Sequence, residues 1–200
     1  MAELETLHDQ IRGCTNCKLA GGRSNAVPGE GPAQADILFI GEAPGFHEDK
    51  QGRPFVGAAG QFLEELLASI DMSREDVFIT NVVKCRPPAN RDPEPDEIDA
   101  CRGYLDRQIE LLQPRMVVTL GRFSMARYFP NAKISQIHGQ AKKMDGVIYY
   151  PMYHPAAALH QPSLRRTVQE DMKRIPQLLA EIDRLAEEEP PDQVEQLSLF

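Results

Sequence analysis

Two hundred residues with 42% hydrophobic content and a net charge of -8 suit one α/β domain with a sizeable core, although length alone leaves room for two very small ones. No run approaches the roughly 18 apolar residues of a membrane span, and the N-terminus lacks the charged-then-apolar order of a secretory signal, so a cytoplasmic protein is expected. The charge is uneven: from Glu181 to Phe200 seven acidic residues face one basic residue, Arg184, which leaves the body at only -2. A polyanionic partner is therefore not excluded. Nucleic-acid binding needs a local basic face rather than a basic total, and Lys84, Arg86, Arg91, Arg122, Arg165 and Arg166 are available for one.

Taken in order, residues 3–12 read as a short helix with Leu4, Leu7 and Ile11 on one side, leading into Cys14 and Cys17. Residues 36–40 form an apolar run delivered into Gly41, the pattern of a short buried strand. Beyond it Pro44, Gly45, Gly52, Pro54, Gly57 and Gly60 are dense enough to predict a loop rather than an element, with backbone brought close to a ligand. The loop runs into a helical pattern at 62–70. Such a strand, loop and helix usually hold a ligand at the carboxyl end of the strand. Neither GxxxxGK[ST] nor GxGxxG occurs there, and Glu42, Glu48 and Asp49 are the wrong polar residues for phosphate. Carboxylates beside Pro54, Phe55 and Val56 suit a neutral planar ligand instead.

Residues 77–83 read as a second buried strand, ended by Lys84, Cys85 and two prolines. A loop follows at 90–95, then a helix at 96–112 that carries Cys101. A third strand covers 116–121, with a short helix after it to about Tyr128. A fourth covers 147–155 and ends in a loop bearing His154. Residues 163–187 form a long terminal helix in which Pro176 predicts a kink. This alternation predicts an α/β fold with a mainly parallel four-stranded sheet covered on both faces. Glu187 to Glu195 is acidic and proline-containing, a composition unable to bury a core. The expected division is a domain over 1–187 and an acidic tail over 188–200.

Four cysteines, Cys14, Cys17, Cys85 and Cys101, suggest metal before disulfides in an intracellular protein. The first two form a close pair, whereas the second two lie far apart in sequence. A zinc site normally repeats the close pair, and the wide spacing suits an iron-sulfur cluster at least as well. Spacing alone leaves iron-sulfur, zinc and unliganded thiols open.

The joint order of GEAPG (41–45), GRPFVGAAG (52–60), TNVVKCRPPANR (80–91), HPAAAL (154–159) and the four cysteines resembles the family 4 uracil-DNA glycosylases. The resemblance covers nearly the whole chain up to the terminal helix. It implies a three-layer αβα sandwich, a 4Fe-4S cluster on Cys14, Cys17, Cys85 and Cys101, and removal of uracil from DNA; no motif places a lysine as a Schiff-base nucleophile, so strand cleavage is not expected. Breaking the bond between C1′ and N1 leaves negative charge on the departing base. His154 is then expected to donate a hydrogen bond to uracil O2. Asn81 would read O4 and N3–H through its amide, and Phe55 would stack on the flipped base. Glu42 and Ala43 stand where many members of the superfamily carry a polar residue and a water-activating aspartate. With alanine at the second position, Glu48 and then Glu42 become the candidates for holding water, and Glu48 is also a candidate wall against the thymine methyl group. Leu159 is expected to fill the gap left in the duplex, with His160, Arg165 and Arg166 on the backbone.

The C-terminal Gln196, Leu197, Ser198, Leu199 and Phe200 resemble the bacterial sliding-clamp binding motif, so clamp tethering is a second expectation for a nucleoid-associated, monomeric enzyme. Two rival readings are a glycosylase of the same superfamily acting on hypoxanthine or xanthine, and a non-catalytic iron-sulfur DNA-binding adaptor. Intact Asn81 and His154 weigh against the adaptor.

Overall fold

The computed structural model describes residues 2–188. The chain opens with helix α1 (Ala2–Gly13) and a 3-10 turn at Lys18–Gly21, then enters strand β1 (Ile37–Gly41). Helices α2 (Phe46–Gln51) and α3 (Ala58–Ala68) lead to β2 (Phe78–Asn81), α4 (Pro95–Leu112) and β3 (Met116–Leu120). Two short helices, α5 (Arg122–Ala126) and α6 (Ile134–Ile137), precede β4 (Lys142–Met144) and β5 (Val147–Met152). Helices α7 (Pro155–His160), α8 (Ser163–Met172) and α9 (Ile175–Glu188) complete the described chain.

The strands form one five-stranded sheet in the order β2-β1-β3-β5-β4. All neighbours pair in parallel except β4, which runs antiparallel to β5. Every residue of β1, β2 and β3 is buried, as expected of strands covered on both faces. Side chains alternate between two cores. Ile37 and Phe39 pack with Leu63 and Leu66 of α3 and with Val168 and Met172 of α8. Leu38 and Ile40 pack with Leu4, Leu7 and Ile11 of α1 and Leu105 of α4. The result is the αβα sandwich that the motifs imply.

Three expectations need correction. The sheet has five strands rather than four, because β4 is a three-residue edge strand with Lys142 and Lys143 exposed, and so it carries no buried run. The segment after β1 is not wholly loop: α2 forms between Gly45 at its N-cap and Gly52, which closes it in the left-handed region at φ 69°. The terminal helix is divided at Lys173 and Arg174, with Pro176 in the first turn of α9, where the missing N–H costs nothing. The far edge of the sheet is closed by Glu30, which exchanges backbone hydrogen bonds with Ile79 at 2.9 and 2.8 Å. Among the described residues no helix is long and apolar enough to cross a membrane.

Candidate active site

Four parallel strands end on the same edge of the sheet, and there the segments following β1, β2 and β5 enclose a cavity of about 610 Å³. Its lining includes Glu42, Glu48, Phe55, Asn81, Arg91 and His154. Residues distant in sequence meet because a parallel sheet delivers every strand end to the same place.

Asn81 closes β2 at 1% exposure, and its Oδ1 has no hydrogen-bond partner. A buried acceptor left unpaired costs about 1–3 kcal/mol, so such an atom on a cavity wall marks a place for a donor. Gly41 makes room for it: a Cβ there would run into Asn81 Oδ1 and lie 2.7 Å from the Phe55 ring.

Phe55 has φ 52°, an uncommon conformation for a bulky residue. Neighbours hold it there. Arg74 donates to the Phe55 carbonyl at 3.0 Å and to the Pro54 carbonyl at 2.6 Å, and Gly60 packs so closely on that carbonyl that a Cβ would overlap it. The Phe55 ring stacks on His154 with centroids 5.5 Å apart at 24°.

His154 precedes α7, and its Nδ1 accepts the Ala156 N–H at 3.1 Å. That bond leaves the proton of a neutral imidazole on Nε2. Burial pushes its pKa down to about 4, so the ring is an uncharged donor at neutral pH.

The two carboxylates differ. Glu48 is at position N3 of α2 and accepts three backbone N–H groups: Gly45 at 3.1 Å, Val56 at 2.9 Å and Gly57 at 2.8 Å. It stitches the start of the loop to the residues after Phe55. No hydrogen bond to the side chain of Glu42 occurs among the described contacts. Burial, reinforced by the Asp92 charge and opposed by Arg122, pushes Glu42 up to about 7.

Comparison with known proteins decides the family. The uracil DNA glycosylase superfamily matches residues 28–182. The type-4 uracil-DNA glycosylase of Sulfurisphaera tokodaii is 50% identical, over 89% of this chain and 86% of its own. Those of Saccharolobus solfataricus and Archaeoglobus fulgidus are 48% and 45% identical, over 90% and 89% of this chain and 88% and 94% of their own. The chain belongs to the uracil-DNA glycosylase superfamily.

In this member of the superfamily Ala43 also lines the cavity, as does His160 at the end of α7. Leu159 beside it is 40% exposed. Arg165 and Arg166 do not line the cavity. Arg165 lies over the Phe62 ring at 4.3 Å and pairs with Glu65 at 2.6 Å, while Arg166 pairs with Glu170 at 2.7 Å. Lys84 is not part of a basic face at all. At 1% exposure its ammonium donates to Thr80 Oγ1 at 2.6 Å, the Asn81 carbonyl at 2.8 Å and Gln108 Oε1 at 2.6 Å, which fixes the strand end beneath Asn81.

Cys85 and Cys101 are buried, and Cys14 and Cys17 partly so. Among the described residues no three His, Cys, Asp or Glu side chains are grouped as a single bound metal ion would need. The sulfurs nevertheless share one neighbourhood. Burial pushes the Cys85 thiol up to about 11, opposed by Arg23, with Cys101 and Cys17 adding to the rise. Donors point at three of the sulfurs: Arg23 at Cys85 (2.9 Å), the Lys84 N–H at Cys101 (3.4 Å) and the Asn16 N–H at Cys14 (3.4 Å). One N–H donor at each of three sulfurs, two of them buried, suits a bound cluster that would spread negative charge over the sulfurs.

Sequence reasoning missed Phe46, Asn90 and Arg91 in the lining and Arg74 behind Phe55. The Arg91 guanidinium grips Glu97 at 2.9 and 2.7 Å, and Glu97 also accepts the Glu94 N–H at 2.8 Å at the start of α4, a contact that only the folded loop creates. The clamp-like residues Gln196–Phe200 lie outside the described residues.

Proposed function

We propose that the protein is a monofunctional uracil-DNA glycosylase that draws uracil out of the helix into this cavity and hydrolyses the bond between N1 and C1′. The observation that carries the reading is the buried, unpartnered Oδ1 of Asn81. It accepts N3–H of uracil, and its amide NH₂ donates to O4. Cytosine offers a lone pair at N3 and a donor at C4, so it would leave both groups opposed. Phe55 stacks on the ring and serves any pyrimidine.

As the bond breaks, its electron pair leaves with the base, and negative charge grows on uracil O2. His154 Nε2–H hydrogen-bonds that oxygen without transferring its proton, which is what a neutral imidazole of low pKa can do. Water adds to C1′ of the oxocarbenium-like sugar and gives its proton to Glu42, whose carboxyl is tuned to the range where a general base is effective. Uracil departs as the anion and takes a proton from solvent. Glu48 holds the loop around Phe55 and walls the cavity near the base. Leu159 enters the gap in the stack, and His160, Arg165 and Arg166 face the backbone.

Cys14, Cys17, Cys85 and Cys101 would hold a 4Fe-4S cluster, which ties the N-terminal segment to the residues that follow Asn81. The glycosylase unit occupies 1–187. Residues 188–200 tether it to the sliding clamp through Gln196–Phe200, which would raise its effective concentration on newly replicated DNA. Deleting 196–200 should abolish clamp capture and leave excision from short oligonucleotides unchanged; clamp capture by the truncated chain would refute the tether.

The test of the main reading uses matched oligonucleotides carrying one uracil or one thymine at the same position, with protein purified without oxygen. Alkali-dependent cleavage of the uracil strand alone is expected. Uncleaved uracil strand, or cleavage at hypoxanthine or xanthine in its place, overturns it.

A further inference from the structure

Phe46 and Leu159 are the large hydrophobic residues exposed among the described ones, at 48% and 40%. Both belong to elements that border the cavity, α2 and α7. The sequence reading gave Leu159 a task and gave Phe46 none. Phe46 is also unlike an ordinary surface phenylalanine in its neighbours. Its ring has the Arg86 guanidinium 5.1 Å and the Lys50 ammonium 5.9 Å from its centroid, and the His47 ring edge-on at 5.5 Å. Arg86 is held in place by its Nε, which donates to Asn90 Oδ1 at 2.7 Å. The α2 helix that carries Phe46 is anchored from the cavity side by Glu48.

We propose that Phe46 is a stacking platform for the base of the nucleotide next to the extruded uracil, with Arg86 and Lys50 holding the phosphates on either side of that base. The inference rests on the glycosylase reading. A half-exposed ring with two cations lying over it matches a nucleotide on both counts, since a base can take the cations' place on the ring while they move to its phosphates. A protein partner would need a contiguous apolar surface, and here a single ring lies among charges. At the exposed rim of the cavity, Phe46 acts on how the strand is held and not on the chemical step. Leu159 fills the space that the uracil vacates, and Phe46 steadies a neighbour that has lost one stacking partner.

The experiment is a coupling measurement between the ring and the neighbouring base. Binding is read by fluorescence anisotropy on single-stranded oligonucleotides carrying 2′-fluoro-2′-deoxyuridine, whose glycosidic bond resists cleavage. Three versions are compared, with normal neighbours, with an abasic 5′ neighbour and with an abasic 3′ neighbour. Phe46→Ala should bind the normal version about 10-fold more weakly, in line with the loss of one base–aromatic stack. It should lose little further affinity when the base on one particular side is absent. Phe46→Trp should restore the normal affinity. The circular dichroism spectrum and melting temperature of Phe46→Ala should match those of wild type, which checks that the fold is intact. Equal loss on all three versions, or Phe46→Ala binding within twofold of wild type, overturns the proposal. Excision from an unmodified uracil strand by the wild-type protein tests the glycosylase reading separately, so each can fail without the other.

Discussion

Asn81 and Lys84 lie at 1% exposure on and beneath the cavity floor, whereas Phe46 and Leu159 on its rim are 48% and 40% exposed. On the floor the charged groups Lys84 and Glu48 are committed, Lys84 donating to three acceptors and Glu48 accepting from three donors, whereas Asn81 Oδ1 is buried with no partner. On the rim, apolar groups face water without partners of their own kind. A rigid floor can discriminate between bases by single hydrogen bonds, because its groups cannot move to accept a wrong one. A rim of exposed side chains can adapt to any sequence that passes over it. On the proposed function, selection and grip would then be carried by different residues in different physical settings.

Changes on the floor should have the largest effects. His154→Ala and Asn81→Ala are expected to lower kcat/KM for uracil excision by about 10²–10³, the scale of one lost donor to a developing anion, while DNA binding stays near wild type. Activity within threefold of wild type in either variant would break the division between floor and rim. The pH profile sharpens it. Glu42, pushed up to about 7, is protonated below that pH and cannot take a proton from water. The value of kcat/KM should therefore rise through pH 7 and level off near pH 8. His154, pushed down to about 4, is neutral throughout and adds no limb between pH 5 and 9. Glu42→Gln should lower the plateau and abolish the rise; a rise that persists would move the base to another group. On the rim, Leu159→Ala should raise KM on duplex substrate by about 3–10-fold with kcat nearly unchanged. A loss confined to kcat would place Leu159 with the floor.

The four parallel strands were legible because burial on both faces writes them as continuous apolar runs, and Gly41 and Asn81 end two of them while His154 follows a third. What escaped has physical reasons. The segment that forms α2 has no apolar period, and its glycines read as breakers although two of them act as its caps. Lys84 looks like a surface charge in sequence. Its burial is compensated by partners three, four and 24 positions away, and no local window contains all of them. Arg74 holds the Phe55 carbonyl from 19 positions away, through a contact that only the fold creates. Glu48 lies in the cavity as the motifs imply, but its three backbone donors are invisible until the loop is closed around it.

The two margins of the sheet end differently. Beyond β2 the chain lays Glu30 against Ile79 as a capping bridge, while among the described residues β4 has no strand on its outer side and carries two exposed lysines. An open margin of this kind is a template on which a second chain could add its own strand, and neighbouring positive charges make two such margins repel. Lys142 and Lys143 would then oppose pairing of this margin with the same margin of a second molecule. Replacing both with valine should shift the protein toward dimers and larger species in size-exclusion chromatography, and more so at higher protein concentration. A doubly substituted chain that elutes as the wild type does would mean that the shortness of β4, and not its charge, protects this margin.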